Sequence, residues 1–221
     1  MTDRPRRSSA RFVLVLLGGL ALAITANVLW PVHTDIRVFD PDRMARLDTD
    51  MWRSYYDRKP VALYVQLGQV LREQFHMTRA RSYLTAFHAA RAAFVFKRGR
   101  SRAEYERALP DLQRYFAAIR SISRTPFNVK RAARTELEWW IVHRERASHA
   151  PGDLSHALAL AGAALYGVEP SRLTRYAVER ALAMTIRDDR QAAGGVSEAD
   201  WTAIDEHLRV SWRALRTAVG S

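Results

Sequence analysis

Residues 12–30 read FVLVLLGGLALAITANVLW, a run without a single charge and with only Thr25 and Asn27 as polar interruptions. At about 1.5 Å per residue, a helix of that length spans roughly 28 Å, close to the hydrocarbon thickness of a bilayer. Arg4, Arg6, Arg7 and Arg11 precede the run, and Trp30 closes it where an indole favours the membrane–water interface. The residues that follow, among them Asp35, Arg37, Asp40, Asp42 and Arg43, carry no matching positive excess. The asymmetry predicts a transmembrane anchor over 12–30, a basic cytoplasmic N-terminus over 1–11, and the rest of the chain outside the cytoplasmic membrane. Ala21-Leu22-Ala23 also fits the small-x-small site of a cleaved signal peptide. The apolar run continues past that site through Ile24, Val28, Leu29 and Trp30, which favours an uncleaved signal-anchor.

Beyond a linker at 31–39, the apolar residues recur with helical spacing in one segment after another, and no segment alternates as a strand would. Met44, Leu47, Met51 and Tyr55 form one stripe, and Leu63, Leu67, Val70 and Leu71 a second that starts at Pro60. Leu84, Phe87, Phe94 and Val95 mark a third over 78–97. Ser101 opens a fourth, which Pro110 should kink or break. Asn128 caps the next, Gly167 ends an alanine-rich one, and Glu169-Pro170 begins another. Ser197 to Asp200 caps the last, with Trp201, Ile204, Leu208, Trp212 and Leu215 on one face. The expectation is an all-α chain: one N-terminal transmembrane helix, then a globular bundle of about seven helices over 40–221.

The 221 residues include no cysteine, which excludes disulfides, thiol catalysis and cysteine-ligated zinc. The net charge of +12 leaves about +9 outside the N-terminal arginines, nearly all of it arginine. Such a domain suits an acidic protein partner or anionic lipid headgroups. Nucleic acid is not expected, because no nucleic-acid-binding motif accompanies the charge and the domain is expected to face away from the cytoplasm. Nucleotide-binding glycine loops, HExxH, GxSxG and paired ExxH motifs are all absent, so neither metal nor cofactor is implied.

Two sets of residues remain as candidates. Lys97, Arg98, Arg100 and Arg102 crowd one helix–helix connection that could hold an anionic ligand, although such loops are usually just solvated. The second set comes from polar side chains on stripes that should be buried. In ELEWWIVHRER, from Glu136 to Arg146, the helical wheel puts Trp139, Trp140 and His143 within about 60° of Glu136. Similarly, His88 and Arg91 fall on the stripe of Leu84, Phe87 and Val95, and Arg180 lies between Tyr176, Ala177 and Met184. Buried charges need partners, so the simplest pairing is Glu136 with Arg91 or Arg180. These five residues read either as ion pairs that fix helix register or as a polar pocket with a perturbed acid or base.

The stretches DMWRSYYDRKP, ELEWWIVHRER and GGVSEADW resemble those of an uncharacterised family of bacterial membrane-anchored helical proteins. The resemblance implies a bacterial origin and a single-pass layout and brings no activity or catalytic residue; the expectation of a periplasmic domain rests on the arginine asymmetry. Together these readings favour a non-enzymatic interaction or assembly module of the envelope. The alternative is an enzyme or small-ligand binder with its pocket at Glu136, His143, Arg91, His88 and Arg180.

Overall fold

A computed structural model describes the backbone of residues 6–29 and 32–220, and the side chains of 12–26 and 32–220. Two units divide the chain, residues 1–32 and 33–221. The first consists of α1 (Arg6–Leu29), whose described apolar side chains are almost all exposed. Among the described residues no helix is long and apolar enough to cross a membrane, and Trp30 with the neighbouring part of the expected anchor lies outside them.

The second unit is all-α. Its helices among the described residues are α2 (Pro41–Tyr56), α3 (Pro60–Phe75), α4 (Arg79–Arg98), α5 (Arg102–Tyr105), α6 (Leu109–Arg120), α7 (Val129–Arg144), α8 (Asp153–Tyr166), α9 (Thr174–Ala192) and α10 (Glu198–Val219). That makes nine where about seven were expected. Much of the excess comes from Pro110, which lacks the N–H that would continue a helix and so splits the fourth segment into α5, a 3₁₀ turn and α6. Local chemistry sets the starts of several others. Asp40 accepts from the N–H groups of Asp42 and Arg43 with Pro41 at the first position, Asn128 accepts from Arg131, and Ser197 with Asp200 forms a reciprocal capping box. Gly167, at φ +64°, takes the left-handed conformation that ends α8.

Packing follows the chain in a closed circuit. α2 lies on α3, α3 on α4, α4 on α6, and so on through α7, α8, α9 and α10, which returns to pack on α2. The core inside the circuit draws on every long helix, with Met44, Leu71, Leu112, Ile119, Leu173, Ile204, Leu208 and Leu215 almost wholly buried.

From His33 on, the segment expected as a linker belongs to this unit. Ile36 is completely buried and Phe39 nearly so, with its ring edge-on to Trp212. Main-chain and side-chain hydrogen bonds stitch the segment in place. Thr34 N–H donates to Ile122 O at 2.7 Å, its hydroxyl donates to Phe75 O at 3.1 Å, and Arg37 donates to Tyr166 O at 2.7 Å. His76 contributes a ring nitrogen 2.6 Å from Val38 O. The alternation of buried Ile36 and Phe39 with exposed Val38 is too short a pattern to be read without knowing what covers it.

Ile36→Ala should therefore lower unfolding free energy by about 2–5 kcal/mol, the cost of a large-to-small change in a closed core. Val38→Ala, at an exposed position, should stay within roughly 0.5 kcal/mol. Denaturant unfolding followed by tryptophan fluorescence separates the two, and equal effects would return the segment to a linker.

Candidate functional site

Arg180 of α9 is a largely buried charge, its side chain 13% exposed. Its guanidinium donates to both carboxylate oxygens of Asp48 on α2, at 2.5 and 3.4 Å, and the indole N–H of Trp212 on α10 donates to the same carboxylate at 2.9 Å. Asp48 is 2% exposed, and Trp52 and Trp212 place their ring faces 5.5 and 6.0 Å from the guanidinium carbon. Burial pulls the Arg180 guanidinium down and the adjoining Asp48 charge more than reverses that, so Arg180 holds its proton more firmly than usual. The arrangement is a fully partnered ion pair walled by indoles.

Glu136 of α7 does not meet either expected arginine. Its carboxylate accepts from the indole N–H of Trp140, one turn along the same helix, at 3.0 Å. Burial pushes its pKa up, and the hydrogen bonds from Trp139 and Trp140 and the charge of Arg180 only partly offset that. Arg180 is committed to Asp48, and Arg91 points elsewhere, so the simple pairing fails for lack of a free arginine. The wheel reading of α7 also shifts. Ala133, Leu137 and Ile141 face the core, while Glu136, Trp139, Trp140 and His143 occupy its partly buried flank.

The other three candidates gather on aspartates that periodicity did not single out. Asp111 of α6 is 4% exposed and lies 3.4 Å from Arg91 Nε, 3.1 Å from Arg114 and 3.6 Å from His88 Nδ1. That His88 nitrogen is buried without a hydrogen-bond partner. Asp188 of α9 is 7% exposed and takes His143 Nε2 at 2.9 Å, Arg187 at 2.8 Å and a short contact from Arg146. Burial raises the Asp188 carboxyl, and the hydrogen bonds from His143 and Arg187 outweigh it, leaving the group below its usual range. Arg187 also lies over the ring of Tyr56, whose hydroxyl burial pushes up to about 12.

The structure thus distributes the five candidates among four environments, His88 and Arg91 sharing Asp111 while Glu136, His143 and Arg180 stand apart. Among the described residues no cluster of histidines and carboxylates could hold a metal ion. Two shallow surface grooves lie elsewhere, one of about 420 Å³ between α9 and α10 edged by Arg172, Arg175 and Arg213, and one of about 390 Å³ beside Arg102, Arg134 and Glu138. Neither is lined by any of the five.

The basic connection is also divided. Arg102 pairs with Glu138 at 2.5 Å, whereas the side chains of Lys97, Arg98 and Arg100 make no ion pair among the described residues. Arg144 holds the end of α4 by donating to the carbonyls of Phe96 and Lys97 at 2.7 and 3.0 Å, and it stacks on Phe96 and Tyr105.

The largest departure from the sequence reading is on α4. Its buried residues are Arg81, Ser82, Thr85, Ala86 and Ala92, while Leu84, Phe87 and Phe94 are 53%, 49% and 56% exposed. Apart from Arg81, small side chains supply the buried positions, while Leu84, Phe87 and Phe94 turn outward and Val95 and Phe96 pack partly against the core. The stripe Leu84, Phe87, Arg91, Phe94, Arg98 follows steps of three and four, so it occupies one helical face. Arg91 stacks beside Phe87 at 5.6 Å. Neighbouring α3 leaves Val61 and Val65 exposed as well, at 77% and 45%. Fully burying each Leu or Phe is worth roughly 1.5–3 kcal/mol, so this face forgoes a large stabilisation.

Comparison with known proteins finds no matching family model, no matching curated protein and no matching solved structure.

Two outcomes check the interior assignments. Asp48→Ala strands a buried guanidinium and should cost about 3–5 kcal/mol, whereas Asp48→Leu combined with Arg180→Met should recover much of that loss. Glu136 holds its proton more tightly when folded. Its contribution to stability is therefore full below the unfolded pKa of about 4.3 and falls as pH rises through the raised folded value. Glu136→Gln should remove that slope and be at least as stable as the parent at neutral pH, as unfolding measured across pH would show.

Proposed function

We propose that the chain is a membrane-anchored module of the bacterial envelope that works by presenting a surface to a partner. Residues 12–30 form its single-pass anchor, with the N-terminus in the cytoplasm and the helical domain on the outer face of the inner membrane. The uncharged run, the arginines before it and the family resemblance support that layout. The observation that carries the interaction reading is the outward face of α4, where Leu84, Phe87 and Phe94 stand in solvent. Large apolar side chains lined up on one exposed helical face are a feature of surfaces that meet another body. In isolation the domain leaves about half of each of the three unburied.

The enzyme or small-ligand reading has less behind it. It requires Glu136, His143, Arg91, His88 and Arg180 to converge on a concave space. His143 and Arg91 are instead committed to Asp188 and Asp111, and Arg180 to Asp48. Their geometry suits helix register better than turnover.

Membranes from cells producing the full chain should retain it through alkaline carbonate extraction, and protease added to spheroplasts should remove the helical domain. The combined variant Leu84→Ser, Phe87→Ser, Phe94→Ser should keep unfolding free energy within about 0.5 kcal/mol per site, as surface changes do. Release by carbonate would remove the anchor, and unfolding of the triple variant would return the stripe to the core and remove the interaction surface.

A further inference from the structure

From the α4 face and the reach of the chain before it, we infer that this face lies on the anionic phospholipid surface of the membrane that holds the anchor. This rests on the anchored layout proposed above and names the partner of the exposed stripe.

Connectivity limits where the domain can be. From Trp30 to Ile36, the first wholly buried residue of the domain, the chain advances six residues and reaches at most about 20 Å. A domain on so short a tether stays at the headgroup layer, so the bilayer is the surface it meets at the highest effective concentration.

The chemistry of α4 matches that surface. Its sequence, RARSYLTAFHAARAAFVFKR, contains no acidic residue. The exposed stripe alternates large apolar side chains with Arg91 and Arg98, and the side chains of Lys97, Arg98 and Arg100, at and just past its end, make no ion pair among the described residues, while the Glu104 carboxylate accepts from the Arg100 main-chain N–H. A helix lying in the interface sinks its leucines and phenylalanines to the acyl boundary while arginines beside them reach phosphate. Arg91, with its guanidinium carbon 5.6 Å from the Phe87 ring and its Nε 3.4 Å from Asp111, is held at the edge of such a face.

Charge argues against a second copy as the occupant. Two antiparallel copies of the stripe would meet near its middle and set Arg91 against Arg91 and the arginine-rich end against an equally unacidic helix. A bilayer bearing phosphatidylglycerol supplies the missing negative charge across the whole face. Each basic residue at such a surface strengthens association by roughly fivefold.

The absence of cysteine makes a direct test practical. The full chain carrying Leu84→Cys or Phe94→Cys, labelled with an environment-sensitive fluorophore, is reconstituted into vesicles of phosphatidylcholine alone or with phosphatidylglycerol. Nitroxide-bearing lipids serve as the quencher. Leu182→Cys is the control, an exposed position on α9, four packing steps from α4 either way around the circuit. Labels at 84 and 94 should be quenched in the anionic vesicles and relieved by high salt, while the label at 182 should not respond. Replacing Lys97, Arg98 and Arg100 together by Gln should shift the docked-to-undocked ratio by roughly a hundredfold. Flotation of the same samples reports the anchor separately.

Protein that floats with both vesicle types but shows no quenching at 84 and 94 overturns the lipid-facing assignment and leaves the anchor standing. Protein that fails to float with neutral vesicles overturns the anchor. The face then survives only if anionic vesicles alone float the chain with 84 and 94 quenched. A blue shift at 84 and 94 in lipid-free detergent that grows with protein concentration gives the face to a second copy and overturns the inference.

Discussion

The contact on which the circuit of helices depends is the carboxylate of Asp48 held between Arg180 and Trp212. It joins α2, the first helix of the domain, to α9 and α10, which lie beyond every other element in the chain. A buried ion pair is not in itself a source of much net stability, because desolvating both charges costs nearly what their attraction returns. Its effect is on register. With the guanidinium reaching both carboxylate oxygens and the indole N–H directed at one of them, a slide of α2 by one turn would leave two buried charges and a donor without partners. Apolar packing alone tolerates such slides far better, which is why the polar contact decides where α10 closes against α2.

Much of the fold was legible in the sequence. The punctuation by Pro60, Pro110, Asn128, Gly167 and Ser197 located most helix ends, because capping chemistry is local and needs no knowledge of the partner. Facing was less legible. On α2 the stripe through Met44, Leu47, Met51 and Tyr55 misses the true centre, which runs through Met44, Asp48 and Trp52. That spacing of four and four was visible in the sequence, but an aspartate in the middle of it argued against a core face. On α7 the tryptophan pair drew the wheel towards itself, although Leu137 and Ile141 define the buried side. On α7 the wide indoles sit at the rim of the core and narrower side chains at its centre.

The candidate site was legible only in part. Polar residues on apolar stripes raised the alternatives of ion pairs and a pocket, but the partners Asp48, Asp111 and Asp188 lie on other helices, and periodicity within one helix carries no information about the helix opposite. Asp111 and Asp188 were invisible for that reason, and Glu136 was given an arginine when it had two indoles. On α4 the rule that large apolar residues turn inward gave the opposite of the observed orientation. Alanine, serine and threonine allow α4 to pack on its neighbours with Ala86 and Ala92 buried, and the bulky residues are displaced to the outside. The exception to the rule is where the function is proposed to reside.

Closure of the circuit by α10 also governs the order in which the chain can mature. Asp48 and Trp212 are 164 residues apart, so the contact that sets the register of α2 has no partner until almost all the domain has been synthesised. Contacts of such long sequence separation form slowly, since loop closure must precede any gain from the contact itself. During that interval α2 exposes Met44, Leu47 and Trp52 next to an unneutralised carboxylate. The register of α2 against α9 and α10 is therefore among the last features of the domain to be fixed.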